Sequence, residues 1–115
     1  MNDTNLTHVK PSPVLPHHKL LAYGVAKELL VAVLRCSIRD AKLRDEALRS
    51  AKSACLNCAE GAGLVRAFAI ARAEAVEAAA AVEIAVMCGD ALAGPAAEVA
   101  LVTDRLVGML TRLCR

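Results

Sequence analysis

From about residue 19 onward, apolar positions recur at steps of three and four residues, the spacing that places side chains on one face of an α-helix. Over Lys19–Ser37 the stripe is Ala22, Ala26, Leu29, Val33 and Cys36, widened by Leu30 and Leu34, and it predicts a first helix. Over Lys42–Ala62 it is Ala47, Ala51, Ala54 and Cys58, broadened by Leu48, Cys55 and Ala62, with Gly61 and Gly63 placed to end or bend that helix. A third helix, Leu64–Cys88, is the longest. Gly89-Asp90 and Gly94-Pro95 frame a short connection, and Pro95 suits the first position of a fourth helix. There Val99, Val102, Leu106, Met109 and Leu113 alternate three- and four-residue steps to the C-terminus. Four helices with short connections predict an all-α fold, an antiparallel up-down-up-down four-helix bundle over residues 19–115. Pro11, Pro13 and Pro16 make residues 1–18 an expected extended or disordered arm.

The third helix differs from the others. At about 100° per residue, Arg66, Glu74 and Glu77 fall on one side and Arg72 and Glu83 on another, with alanine and valine between them. One bundle needs one apolar stripe; this helix has two, separated by charges. Either the surface is a tolerant alanine-rich one, or the helix faces its own bundle on one side and a neighbour on the other. The second reading makes Arg66, Arg72, Glu77 and Glu83 candidate subunit-interface residues, with Arg72–Glu83 or Arg66–Glu77 pairing between copies to fix register.

Composition sharpens this picture. Of 115 residues, 57% are hydrophobic, 24 are alanine and only 2% are aromatic (Tyr23 and Phe68, with no Trp). Alanine is the strongest helix former and a poor strand former, which excludes an all-β fold. The charge balance of +2 and the high apolar content exclude a disordered chain. No charge-free stretch reaches the roughly 18–20 residues of a membrane span; even Ala73–Met87 is broken by Glu74, Glu77 and Glu83. The N-terminus has no basic segment followed by an apolar run, so no secretory leader is expected. A cytoplasmic protein with no membrane partner follows, and its apolar excess is expected to meet other copies in a homo-oligomer.

Candidate chemistry is sparse. Cys36, Cys55, Cys58, Cys88 and Cys114 form an odd set, for which reduced thiols are expected. Cys55 and Cys58 make a Cys-x-x-Cys, but it lies mid-helix on the apolar stripe, without a preceding strand or a second pair to complete a zinc site, so packing is the expected role. His17-His18 with His8 has the makings of a metal site, but adjacent histidines beside a proline-rich arm more often carry none. A di-iron bundle needs Glu-x-x-His on two helices, and no histidine follows His18. Neither a nucleophile elbow nor a phosphate-binding glycine loop is present. No enzyme, metal or cofactor is expected.

Charge is unevenly distributed. Residues 1–52 carry nine basic and five acidic side chains, and residues 66–104 two basic and six acidic. Arg35, Arg39, Lys42, Arg44, Arg49 and Lys52 surround the first inter-helix turn and are candidate contacts to a nucleic-acid backbone. Asp40, Asp45 and Glu46 are interleaved with them, as on an ordinary solvated surface. Two aromatic residues leave little for base stacking.

The segment Asp45–Gly61, DEALRSAKSACLNCAEG, resembles the signature of bacterial four-helix-bundle proteins encoded in intervening sequences of 23S ribosomal RNA genes. Ser53, Asn57, Ala59, Glu60 and Gly61 match that family's Ser-x-x-x-Asn-Ile-Ala-Glu-Gly pattern, with Cys58 in the isoleucine place. Phe68-Ala69-Ile70-Ala71 with Glu77 is similar to its third helix, and Leu20, Ala22, Tyr23, Ala26, Glu28 and Leu29 to its first, so the likeness spans about residues 19–113. The resemblance implies a closed four-helix protomer, similar in fold to the accessory variability determinant of diversity-generating retroelements. That protein forms a pentameric barrel and binds nucleic acid and a reverse transcriptase. For this chain it implies a ring, pentameric if it follows those relatives, with RNA or a nucleic-acid-processing protein as partner. Ser53, Asn57, Glu60 and Gly61 are then structural motif residues, with Asn57 and Glu60 expected to bond exposed backbone groups of the second turn or of a neighbouring chain, and direct ligand contact as the other reading. The chain departs from the family pattern twice. Leu64-Val65 follows Gly63 where basic residues are usual, and Ala73-Glu74 replaces a Gly-Ser pair. A protein-interaction adaptor without nucleic-acid binding is the alternative.

Overall fold

The computed structural model describes residues 17–115. Four α-helices account for most of them: α1 (His17–Arg35), α2 (Ala41–Glu60), α3 (Ala67–Met87) and α4 (Ala93–Leu113). No strand occurs among the described residues. The helix begins at His17, inside the segment read as an arm; the rest of that arm lies outside the described residues. Helices α1 and α2, α2 and α3, α3 and α4, and α4 and α1 pack side by side, while α1 and α3 lie on the diagonal. This is the expected up-down-up-down bundle, with the α1–α2 and α3–α4 connections at the same end.

Local chemistry sets the ends. Asp40 caps α2 by accepting a hydrogen bond from the Leu43 amide at 2.9 Å. Helix α3 closes with Gly89 at φ +78°: the Gly89 amide donates to the Val86 carbonyl and the Asp90 amide to that of Ala85, a Schellman turn. Helix α4 starts at Ala93, two residues before Pro95. Proline is tolerated there because first-turn amides have no partner within the helix.

The core is built mainly of small side chains. Ala47, Ala51 and Ala54 of α2 and Ala71, Ala75 and Ala78 of α3 are fully buried, which lets these two helices pack along their length. Leu29 and Val33 of α1, Phe68 of α3, and Val99, Val102, Leu106 and Leu110 of α4 supply the bulk. The central stripes of α1 and α2 are buried as read; of the residues that widen them, Cys55 is buried, Leu30, Leu48 and Ala62 are half-buried and Leu34 is 56% exposed. In α4, Leu110 is buried, while Met109 and Leu113 pack on the margin. Cys36, Cys55 and Cys58 are buried, free thiols. The Cys55 thiol donates to the Ala26 carbonyl at 3.3 Å, and burial pushes the Cys58 thiol up to about 12. These groups pack; a thiol so poorly ionised is a weak nucleophile.

Candidate nucleic-acid interface

The six basic side chains read as one patch separate into two groups. Arg35 ends α1, and Arg39, Lys42 and Arg44 follow around the α1–α2 turn, so these four share one end of the bundle. The turn is stitched to the neighbouring α3–α4 connection. The Arg39 amide donates to the Asp90 carbonyl at 2.9 Å, its guanidinium donates to the Gly89 carbonyl, and Asp90 Oδ1 lies 3.9 Å away. Arg44 folds back, with Nη1 3.3 Å from the Ile38 carbonyl and 3.4 Å from that of Arg39. Arg35 and Lys42 are exposed and, among the described residues, make no ion pair. The turn therefore presents two fully available cations and two more whose guanidinium groups are anchored on backbone carbonyls.

Arg49 and Lys52 lie about 10 and 15 Å farther along the axis of α2 from Lys42, at the usual 1.5 Å rise. Lys52 is exposed. Arg49 is held by carboxylates: Nη2 is 2.9 Å from Glu46 and 3.0 Å from Glu77, and Nη1 is 3.5 Å from Glu74. Its charge is already committed, so Arg49 leaves the patch to which its sequence position assigned it.

This polar seam between α2 and α3 also contains the motif residues. Ser53 Oγ donates to Glu74 at 3.0 Å, and Asn57 Nδ2 donates to the Ser53 carbonyl at 2.9 Å and to its hydroxyl at 3.2 Å. Ser50, fully buried, accepts from Arg49 at 3.1 Å and donates to Glu46 at 3.2 Å. Asn57 thus bonds a backbone carbonyl within its own helix rather than one of the α2–α3 turn. At the turn, the Glu60 carbonyl rather than its side chain accepts, from the Gly63 and Leu64 amides, each at 3.0 Å. The apolar periodicity does not mark Glu46, Ser50 and Glu74 as seam residues. Their signal is a polar stripe at 46, 49, 50, 53 and 57, alongside the alanine stripe of α2.

Electrostatics in the seam are lopsided, with three carboxylates around one guanidinium. The Arg49 hydrogen bond, followed by one with Glu77, holds the Glu46 carboxyl down to about 2. The same contact with Glu46 pushes Glu77 upward. A carboxyl with a depressed pKa adds stability above its unfolded value and loses it as pH falls through the folded one. Arg49→Ala is therefore expected to lower the melting temperature at pH 7. The gap from wild type should close as the pH falls from about 4.5 toward 2, read by thermal melts across that range.

Gly61 is explained by contact rather than by backbone freedom. Its φ of −58° is ordinary helix, but a Cβ built there would lie 2.2 Å from Phe68 Cε1. Gly61→Ala is expected to cost about 1–3 kcal/mol through overpacking. Gly63→Ala, facing open space, should be neutral in the same thermal melts.

Of the candidate interface residues, Arg66 is exposed beside α3 and Glu83 is exposed without an ion pair among the described residues. Arg72 Nη1 donates to Thr111 Oγ1 at 3.2 Å, tying α3 to α4. Glu77 is engaged by Arg49 of its own chain at 3.0 Å. Phe68 is fully buried and the Tyr23 ring is covered by the Lys27 ammonium at 4.6 Å, so neither aromatic offers a stacking platform. Among the described residues, no group of three or more His, Cys, Asp or Glu side chains is arranged to hold a metal ion, and no helix is long and apolar enough to cross a membrane. No protein-family model, curated protein or solved structure matches the chain.

Proposed function

We propose that this chain is a non-catalytic, cytoplasmic, self-associating four-helix bundle that binds the phosphate backbone of structured RNA, as an accessory to a ribonucleoprotein or a reverse transcriptase. The observation that carries the reading is the convergence of Arg35, Arg39, Lys42 and Arg44 on one end of the bundle, with Arg35 and Lys42 unpaired among the described residues. Cations at a rigid end with no aromatic platform suit backbone contact rather than base readout. The likeness of Ser53–Gly61 to the ribosomal intervening-sequence proteins favours RNA as the polyanion, and a closed ring, pentameric as in the retroelement accessory protein, as the assembly.

The test is fluorescence anisotropy of a labelled RNA hairpin across a salt series, with duplex DNA in parallel. Four phosphate contacts per protomer give a slope of about −3 to −4 in log affinity against log salt, and a loss of roughly 100-fold between 50 and 200 mM. No binding at low salt overturns the proposal. A protein-interaction adaptor is the second reading, favoured by the outward side of α3, where Ile70, Val76, Ile84 and Met87 are between 45% and 79% exposed.

A further inference from the structure

Two apolar surfaces of the bundle lack partners, and they differ in charge. The first is the outward face of α3. Ala71, Ala75, Ala78 and Ala85 point into the core, whereas Ala73, Ala80, Ile84 and Met87 form the midline of the opposite face. Alanines on a midline allow a partner close approach, and Ile84 and Met87 stand out as ridges. Glu77 and Glu83 flank this face, and Glu83 has no ion pair among the described residues.

The second is a groove of about 680 Å³ between the start of α1 and the end of α4. Leu21, Val25, Met109 and Leu113 line it, and Gly24 leaves it open, since a Cβ there would meet nothing within 4 Å. Arg105, paired with Glu28 at 2.8 Å, and Arg112 complete the lining. Arg112 has no ion pair among the described residues. Because α1 and α3 lie on the diagonal, the face and the groove of one chain point in different directions and cannot meet.

We infer that the outward face of α3 in one copy seats in the α1–α4 groove of the next, a head-to-tail contact in which Glu83 meets Arg112. The inference rests on the self-association in the proposed function and names the surfaces that make it. Charge selects this occupant. On the face Glu77 is already engaged by Arg49 and Glu83 is unpaired, whereas in the groove Arg105 is engaged by Glu28 and Arg112 is unpaired, among the described residues. Head-to-tail packing sets the unpaired Glu83 of the face against the unpaired Arg112 of the groove. Such a heterologous contact leaves one face and one groove free at each step, so it continues until a ring closes or runs on as an open filament.

Two variants test it by mixing. Ile84→Glu spoils the face and keeps the groove; Leu21→Glu spoils the groove and keeps the face. Both residues are about half exposed, and circular dichroism verifies that each variant stays helical. Native mass spectrometry should find wild type assembled, each variant alone monomeric, and the equimolar mixture a one-to-one heterodimer. Wild type that is monomeric at every concentration sinks the self-association reading itself. Wild type that assembles while either variant still does so overturns only this contact, as does a mixture that stays monomeric. Should either variant unfold, Glu83→Arg and Arg112→Glu replace them. Each alone should weaken association at least ten-fold, and the double variant should recover it; absence of recovery overturns the pairing.

Discussion

Phe68→Ala is expected to lower stability by about 3–5 kcal/mol, the cost of removing a fully enclosed aromatic ring. Against a total of about 5–15 kcal/mol for a domain of this size, that corresponds to a drop of roughly 15–30 °C in melting temperature. The upper half of the range applies because the cavity cannot collapse. Among the described residues Phe68 is the only aromatic residue in the buried core, and the core lining of α2 and α3 is largely alanine, whose side chain has no rotamer with which to fill space. Gly61, against which the ring rests, would be left facing the void. Denaturant melts followed by circular dichroism read the change directly; a loss below 1 kcal/mol would mean that the α2–α3 turn is not held by this contact.

Reversing charge at the basic end should have the larger functional effect. At 0.1 M salt, each phosphate neutralised is worth about eight-fold in affinity, so losing two contacts lowers affinity by roughly 60-fold. Arg35→Glu with Lys42→Glu should exceed that, because repulsion is added to lost attraction. Neither side chain makes an ion pair among the described residues, so the fold should tolerate both changes. Arg49→Gln is the contrasting case. Its charge is spent on Glu46, Glu74 and Glu77, and its replacement should leave RNA affinity within about two-fold while lowering stability.

The bundle is legible in the sequence because helix periodicity and alanine content are local properties. The two-faced character of α3 is legible for the same reason: its outward residues 70, 73, 80, 84 and 87 follow the same steps as the buried set. What periodicity leaves open is the rotation of one helix against another. Arg49 reads as one more cation of a basic run until α3 brings Glu74 and Glu77 beside it. Arg39 reads as unanchored charge until the α3–α4 connection, fifty residues later, supplies the Gly89 carbonyl. Leu34, counted as widening the stripe of α1, lies about 120° from its centre at 100° per residue and is exposed, whereas Cys36 beyond it is buried. The glycine at 61 reads as a helix stop, yet its reason is a ring seven residues away that needs the space of a missing methyl group.

The most direct test of phosphate binding at the basic end is the salt slope of RNA binding for wild type and for Arg35→Gln with Lys42→Gln. Neutralisation without reversal removes contacts and adds no repulsion. The slope should become shallower by about two, one for each lost phosphate contact. Equal slopes for the two proteins would place the phosphate contacts elsewhere and contradict the account.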